Sequence, residues 1–284
     1  MAQAGTPPTV SIVIPAYNEE NVIGQCIQAA LFQSVQPLEI LVIDNKSTDH
    51  TVEQVRKAQL EFPDKPIHLL HQEEAQGLIP TRNYGLDRAQ GEVVGRIDAD
   101  SLLEPNWVEE VGNAFRDPSI DATTGPVLYY DMPLRRWGHK TDNRMRKLVL
   151  KLTRGQFHFL FGSNMAIRRT AWTQIRDEVC RDQRDEMHED IDISLHLADH
   201  NLGVKYLPKM VSGMSARRLE DSPEEYRYYV TRFERTYRAH NVNKPALKLP
   251  MLIFMGVYYP GRLLRRIHVL RSGKPAERGG QIKG

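Results

Sequence analysis

Hydrophobic and polar positions change period repeatedly along this chain. Residues 10–14, VSIVI, form a compact apolar run ended by Pro15, which predicts a buried strand. Asn18-Glu19-Glu20 then open a predicted helix, with acids in the first turn where the helix dipole favours them. Its apolar positions Val22, Ile23, Cys26, Ile27, Ala30 and Leu31 recur at helical spacing, so Cys26 reads as core. Residues 39–43 predict a second strand, ended by Asp44. The turn formers Asn45-Lys46-Ser47-Thr48-Asp49 can cap a helix over 50–61. Residues 67–70 predict a third strand, and Gly77 precedes a helix reaching about Ala89. Gly91 then marks a turn into the run 93–97, which closes on Asp98-Ala99-Asp100.

The second half is less regular. It predicts a helix over 105–115 and a strand over 122–130 broken at Gly125-Pro126. A basic helical segment follows over 135–154, then an aromatic and small-residue stretch over 157–167. Helices over 170–176, 189–200 and 222–240 and a strand over 204–207 complete the pattern.

Strands alternating with helices imply right-handed βαβ units and a mostly parallel sheet. Polar residues ending three strands, Tyr17 to Glu19, Asp44, and Asp98 to Asp100, then gather at the carboxyl edge, where open α/β sheets bind ligands. Carboxylates at i and i+2 can converge on one hard cation shared with a phosphate; the plain alternative is a solvated acidic loop. A GxxxxGK[ST] loop is missing, and no GxGxxG follows the first strand, which argues against a P-loop and the usual dinucleotide fingerprint.

Composition changes this picture little: 284 residues, 40% hydrophobic and 26% charged, is ordinary for a globular domain with an appendage. Cys26 and Cys180 lack zinc or disulfide spacing, which fits a reducing compartment. The N-terminus lacks the charged and apolar regions of a signal peptide. Net charge is only +2, yet Arg262, Arg265, Arg266, Arg271, Lys274, Arg278 and Lys283 stand against Glu277 alone. A basic tail on a near-neutral body points to an anionic surface partner and away from nucleic acid.

The runs SIVIPAYNEE, LVIDNKSTDHT, GLIPTRNYGLDRAQGEVVGRIDAD, GSNMAIRR and HEDIDISLHL, in this order over about residues 9–218, resemble the family 2 glycosyltransferases of the GT-A fold. The resemblance implies an α/β, Rossmann-like, mostly parallel central sheet flanked by helices. It implies a glycosyltransferase domain over 1–220, with a nucleotide-sugar-binding half (about 9–110) and an acceptor-binding half (111–220). Residues 221–284 form a C-terminal helical, basic extension. By position, Pro15, Tyr17, Glu19, Asp44, Arg82 and Asp98 become nucleotide-binding. Asp44-Asn45 stands where the family often has two acids, which leaves the base open. Asp98 and Asp100 match the DXD motif that holds Mg²⁺ or Mn²⁺.

The chemistry accounts for these residue types. A departing nucleoside diphosphate gains negative charge, which a carboxylate-held cation neutralises without proton transfer. Direct displacement inverts the anomeric centre and needs a base on the opposite side. Asp190 matches the family's base position, and a helix N-terminus is expected to keep it ionised. Glu189 is expected to orient acceptor hydroxyls, Gly162-Ser163-Asn164 to form an acceptor-side loop, and Arg217 and Arg218 to meet a diphosphate or phosphorylated acceptor.

His188, Asp192, His196 and His200 recur every four residues on one predicted helix. A zinc site would take two of these plus a distant ligand. The complementary stripe Ile191, Leu195, Ala198 and Leu202 makes a solvated polar face the preferred reading. Residues 247–264 are apolar but interrupted by Pro250, Gly256 and Pro260, too broken to span a bilayer comfortably. With Arg262, Arg265 and Arg266 following, and Tyr258 and Tyr259 near headgroups, the segment suits a membrane interface; a core or dimer-forming helix is the alternative. The expectation is a cytoplasmic enzyme, peripheral on the inner face of the cell membrane, moving sugar from a UDP- or GDP-sugar to a glycan or lipid-linked acceptor. A sugar-nucleotide nucleotidyltransferase and an inactive GT-A scaffold are the rival readings.

Overall fold

The computed structural model of the chain describes residues 6–133, 144, 158–182 and 184–272. The predicted helix over 135–154 and the basic residues beyond 272 therefore lie outside the described residues, Arg144 excepted.

The N-terminal half runs β1 (Val10–Ala16), α1 (Ile23–Leu31), β2 (Glu39–Asp44), α2 (Thr51–Glu61), β3 (Ile67–His71), α3 (Leu78–Arg88), β4 (Val93–Ile97), β5 (Leu102–Leu103) and α4 (Trp107–Ala114). The second half adds β6 (Ala122–Thr124), β7 (Val127–Tyr129), β8 (Asn164–Arg168), α5 (Arg169–Ile175), α6 (Glu189–Asp199), β9 (Val204–Tyr206), β10 (Ser212–Met214), α7 (Pro223–Ala239) and α8 (Lys248–Ser272). The main sheet has the order β3-β2-β1-β4-β8-β6-β9, and β5-β10-β7 form a second, smaller sheet. Strands β1 to β4 pair in parallel, whereas β8 runs antiparallel to both β4 and β6.

Period-two alternation divides the core into two layers. Ile12, Ile14, Ile40 and Val42 face α1, α2 and α4, meeting Ile23, Ile27, Val55 and Trp107. Val13, Leu41, Ile43 and Val94 face the other side, meeting Leu86, Trp172, Ile193 and Leu197 of α3, α5 and α6. Both sheet faces are thus covered, and the carboxyl ends of β1, β2 and β4 share one open edge.

Four differences from the sequence expectation have physical causes. α1 begins at Ile23 and has no acid in its first turn. Asn18 takes a left-handed backbone, and Glu19 turns inward to pair with Arg217. The run 122–130 splits at Gly125-Pro126, and its two pieces join different sheets. α8 is one continuous 25-residue helix. Pro250 sits in its first turn, where a missing N–H costs nothing, and the residue four before Pro260 is Gly256. No helix among the described residues is long and apolar enough to cross a membrane. The polar face of α6 is solvated only at its end, at His200: α7 covers the rest, burying His188 against Tyr229 and Phe233 and placing His240 on Asp192.

Candidate active site

The loop after β1 is tied to the loop after β2. The Asn18 backbone N–H donates to Ser47 Oγ at 3.0 Å, and Asn18 Oδ1 accepts from the Thr48 N–H at 2.8 Å. Asp49, just ahead of α2, accepts the Thr51 N–H at 3.0 Å. These ties set buried Pro15, partly exposed Tyr17 and buried Asp44 along one rim. Asp44 lies 3.4 Å from His71 Nδ1. Its neighbour Asn45 faces inward: Nδ2 donates to the carbonyls of Gln72 and Ala75 at 2.8 and 3.0 Å, and Oδ1 accepts the Gly77 N–H at 2.8 Å. An aspartate cannot donate those two bonds, so the amide is needed at this position.

The DXD acids end β4 in a tight turn, with Ser101 N–H donating to the Asp98 carbonyl at 2.9 Å. Asp98 meets Arg82 of α3 in a short ion pair. Asp100 is buried, with Oδ2 3.4 Å from Arg217 Nε. Arg217 also grips Glu19 through both terminal nitrogens, at 2.7 and 2.5 Å. Burial pushes Asp100 up to about 7 despite Arg217 beside it. Its negative charge is under-compensated, and a hard cation with oxygen preference would supply what is missing.

Arg82 is the hinge of the site. It also pairs with Glu189, so it joins the DXD turn to the start of α6. Its guanidinium is held above its ordinary value: burial opposes charge, but Asp98 and Glu189 outweigh it. Arg96, fully buried in the middle of β4, reaches the same carboxylate at 2.9 Å and donates from Nε to the Gly162 carbonyl at 2.9 Å. The Gly162 N–H in turn donates to Asp190 Oδ2 at 2.9 Å. A Cβ on Gly162 would lie 2.5 Å from Arg96 Nη2 and 3.3 Å from both Asp190 Oδ2 and Glu189 Oε1. Only glycine lets that loop close on the charged cluster.

The two adjacent acids are driven apart. Burial works against the Glu189 charge, but Arg82 and Arg96 hold the carboxyl below the usual range. Burial pushes Asp190 up, the Glu189 charge adds to it, and Arg96 with the Gly162 N–H only partly offsets this. The expectation that a helix N-terminus dominates at Asp190 is therefore corrected: burial and Glu189 prevail. The surroundings thus favour the charged form of Glu189 and disfavour that of Asp190, a difference of the kind that acid–base sites use.

Of the residues expected on the acceptor side, Gly162 and Glu189 join this cluster, and Ser163 lies beside it with Oγ 3.5 Å from Met214 Sδ. Asn164 does not: its Nδ2 donates to the carbonyls of Pro126 and Met210, and its Oδ1 accepts from Trp107 Nε1 at 2.7 Å. Its amide is spent joining the two sheets. Arg218 stands over the Tyr229 ring at 4.0 Å and 3.6 Å from Asp221, apart from the DXD turn. Sequence reasoning gave Arg96 no role; a charge inside the otherwise apolar VVGRI was the available signal.

An open, mostly parallel sheet with paired acids at its edge and a facing helix-borne acid is the arrangement of a GT-A-type protein. The solved structures agree on the fold. A mannosyltransferase from Pyrobaculum calidifontis, crystallised with GDP-Man and Mn²⁺, superposes with a TM-score of 0.63 at 21% identity, covering 96% of this chain and 78% of that one. The glucosyl-3-phosphoglycerate synthase of Mycobacterium tuberculosis, in complex with Mn²⁺, UDP and glucosyl-3-phosphoglycerate, gives 0.58 at 18% identity over 86% of this chain and 83% of that one. The chain belongs to glycosyl transferase family 2, whose profile matches residues 11–176. Among curated relatives, glycosyltransferase GlyG of Streptococcus pneumoniae is 29% identical over 122 residues, 43% of this chain and 40% of GlyG. The chondroitin synthase of Pasteurella multocida is 36% identical over 102 residues, 36% of this chain and 10% of the synthase. The chain thus spans less than half the length of these relatives.

Proposed function

We infer that the chain is an inverting glycosyltransferase that moves a sugar from a UDP- or GDP-sugar to a hydroxyl of a glycan or lipid-linked acceptor. The observation that carries this reading is the split carboxylate pair at the start of α6, wired through Arg82 to the DXD turn. Pro15, Tyr17, Glu19 and Asp44 line the nucleotide side. Asp98 and Asp100 offer carboxylate oxygens alone, a donor set that suits Mg²⁺ or Mn²⁺, and they would hold that cation. Bound there, the cation would neutralise charge on the diphosphate leaving group.

The chain's own residues do the rest. Asp190 accepts the proton of the acceptor hydroxyl as that oxygen attacks the anomeric carbon. The bond to the diphosphate oxygen breaks on the opposite face, hence inversion. Glu189, anchored by Arg82 and Arg96, orients the acceptor without competing for the proton. Arg82 bridges the leaving-group side and the base side, holding Asp98 and Glu189 at once. Arg217 gathers Glu19 and Asp100 and stands ready to meet phosphate oxygens.

The acceptor side is proposed to face an anionic membrane. Along α8, Leu252, Tyr259, Leu263, Ile267 and Leu270 are exposed on one apolar stripe, with Arg266 and Arg271 exposed beside it. The inward face differs from the sequence expectation. Tyr258 donates to the Asp221 carbonyl at 2.6 Å, Arg262 bonds to the same carbonyl at 3.1 Å, and Arg265 pairs with Asp131 at 2.8 Å. These three hold α8 to the body, leaving the outward stripe for lipid.

Thermal melting with UDP-, GDP- and dTDP-sugars, each with and without Mn²⁺, followed by hydrolysis and transfer assays, tests the reading. Metal-dependent stabilisation by one nucleotide class and metal-dependent turnover are expected. No stabilisation and no turnover with any donor would overturn it.

A further inference from the structure

On the far face of α6 from Asp190 lies a second cluster that the transfer chemistry does not use. Asp192 and His196 are four residues apart and so share one helix face. His240, the residue that ends α7, reaches the same point from the C-terminal extension. His240 Nε2 lies 2.8 Å from Asp192 Oδ1, and His196 Nε2 lies 3.7 Å from the same oxygen. One ligand atom from each of the three residues falls within 4.8 Å of the others. The imidazole rings stand 4.8 Å apart, inclined at 68°.

Four features mark this as more than a polar contact. Asp192 is only 3% exposed, so its charge sits where an uncompensated carboxylate is costly. Its other oxygen, Oδ2, accepts the Cys180 N–H at 2.7 Å, which fixes the carboxylate plane and leaves Oδ1 aimed at the two histidines. His196 Nδ1 is buried and lacks a hydrogen-bond partner, lying 3.6 Å from Glu178 Oε2. Glu178 is in turn held by His200 Nε2 at 2.9 Å. A carboxylate behind the second nitrogen of an imidazole is the arrangement that orients metal-bound histidines.

We propose that Asp192, His196 and His240 form a zinc site that clamps the C-terminal extension to the helix carrying the base. Two imidazole nitrogens and one carboxylate oxygen are a borderline-soft set that suits zinc, with the fourth tetrahedral position left to water. Zinc–ligand bonds of about 2.0–2.1 Å put tetrahedral ligands roughly 3.3 Å apart. The 2.8 and 3.7 Å separations from Asp192 Oδ1 bracket that value, and the three ligand atoms all lie within 4.8 Å of one another. The DXD acids pair with Arg82 and Arg217 and not with this cluster, and as an all-oxygen set they suit harder cations, so the two sites separate by metal preference. Because the ion would join α6 to α7, its removal should loosen the extension while leaving the DXD turn intact.

The test uses the full chain stripped with a chelator and titrated calorimetrically with ZnCl₂ alone. Cobalt substitution is followed by its visible absorption. Three variants are compared: His196→Gln, His240→Gln and the double variant Asp98→Asn/Asp100→Asn. Expected are one zinc per chain retained in the double aspartate variant, at least a tenfold loss of affinity in each histidine variant, and an intense tetrahedral cobalt spectrum. In the wild-type chain, zinc should also protect His196 and His240 from diethyl pyrocarbonate, read by peptide mass. That measurement stands if a histidine variant fails to fold. Absence of zinc binding, binding lost only with the DXD acids, or unprotected His196 and His240 at saturating zinc would overturn the proposal. The cluster would then be a hydrogen-bonded packing contact.

Discussion

Replacing Gly162 with alanine should damage the site through one displaced side chain. The added Cβ would lie 2.5 Å from Arg96 Nη2, where ordinary contact begins at 3.4 Å, so the guanidinium must retreat by roughly 1 Å. An arginine tip on a surface would yield easily. Arg96 is 0% exposed, holds Glu189 at 2.9 Å and donates to the carbonyl of Gly162 itself, so retreat breaks a bond in either direction. Overpacking of this kind costs about 1–3 kcal/mol. At roughly 2–4 °C per kcal/mol for a domain of this order, the melting temperature should fall by about 2–12 °C. Because the same loop donates to Asp190, the base should shift with it, and a misplacement near 1 Å costs about 10²-fold in rate. Nucleotide affinity, set on the other side of Arg82, should stay near wild type. The assays are thermal melting, calorimetric nucleotide binding, and kcat/KM with the preferred donor. A variant with wild-type melting and wild-type turnover would refute the reasoning about Gly162 and Arg96.

Activity should fall on acidification at a pH above that of an ordinary aspartate, because burial and then Glu189 raise Asp190 and the base must be ionised to act. The stability effect of the same group has the opposite sense. Its raised folded-state value favours folding at low pH, and that contribution is lost as pH rises through the raised pKa. A pH–rate profile of kcat/KM whose acid limb sits at the usual carboxylate value would contradict this. Asn45→Asp should destabilise by about 1–3 kcal/mol for each of the carbonyls of Gln72 and Ala75 left unpaired, measured by urea unfolding; an unchanged midpoint would count against it. Leu263→Glu with Leu270→Glu should abolish co-sedimentation with anionic liposomes and leave turnover of a soluble acceptor unchanged, since both side chains point away from the body. Undiminished sedimentation would count against the membrane-facing stripe.

The parallel half of the fold was legible because its signals are local. Apolar runs of strand length, broken by Gly77 and Gly91, place β1 to β4 within a residue or two of where they stand. The DXD turn was legible for the same reason, as acids directly follow an apolar run. What stayed hidden depends on contacts distant in sequence. Glu19 reads as a helix-opening acid until Arg217, 198 residues later, draws it inward. Arg96 reads as a strand residue until Glu189 and Gly162 arrive from the other half. Asn164 looks like an acceptor-loop amide until Trp107, Pro126 and Met210 are seen to occupy it. The polar side of α6 reads as solvated because its cover, α7, begins more than twenty residues further on. Two-residue β5 and three-residue β10 are too short to show a period at all.

Asp190→Asn tests the central claim most directly. The substitution keeps the size of the side chain and one of its two acceptors, for the Gly162 or the Ile191 N–H, while removing its capacity to take a proton. With the donor that binds best, in the presence of Mn²⁺, sugar transfer should fall by about 10²–10⁴-fold, the share a positioned base supplies, while calorimetric affinity for the nucleotide stays near wild type. Near-normal transfer by Asp190→Asn, or a loss of nucleotide binding equal to the loss of transfer, would contradict the assignment of Asp190 as the base.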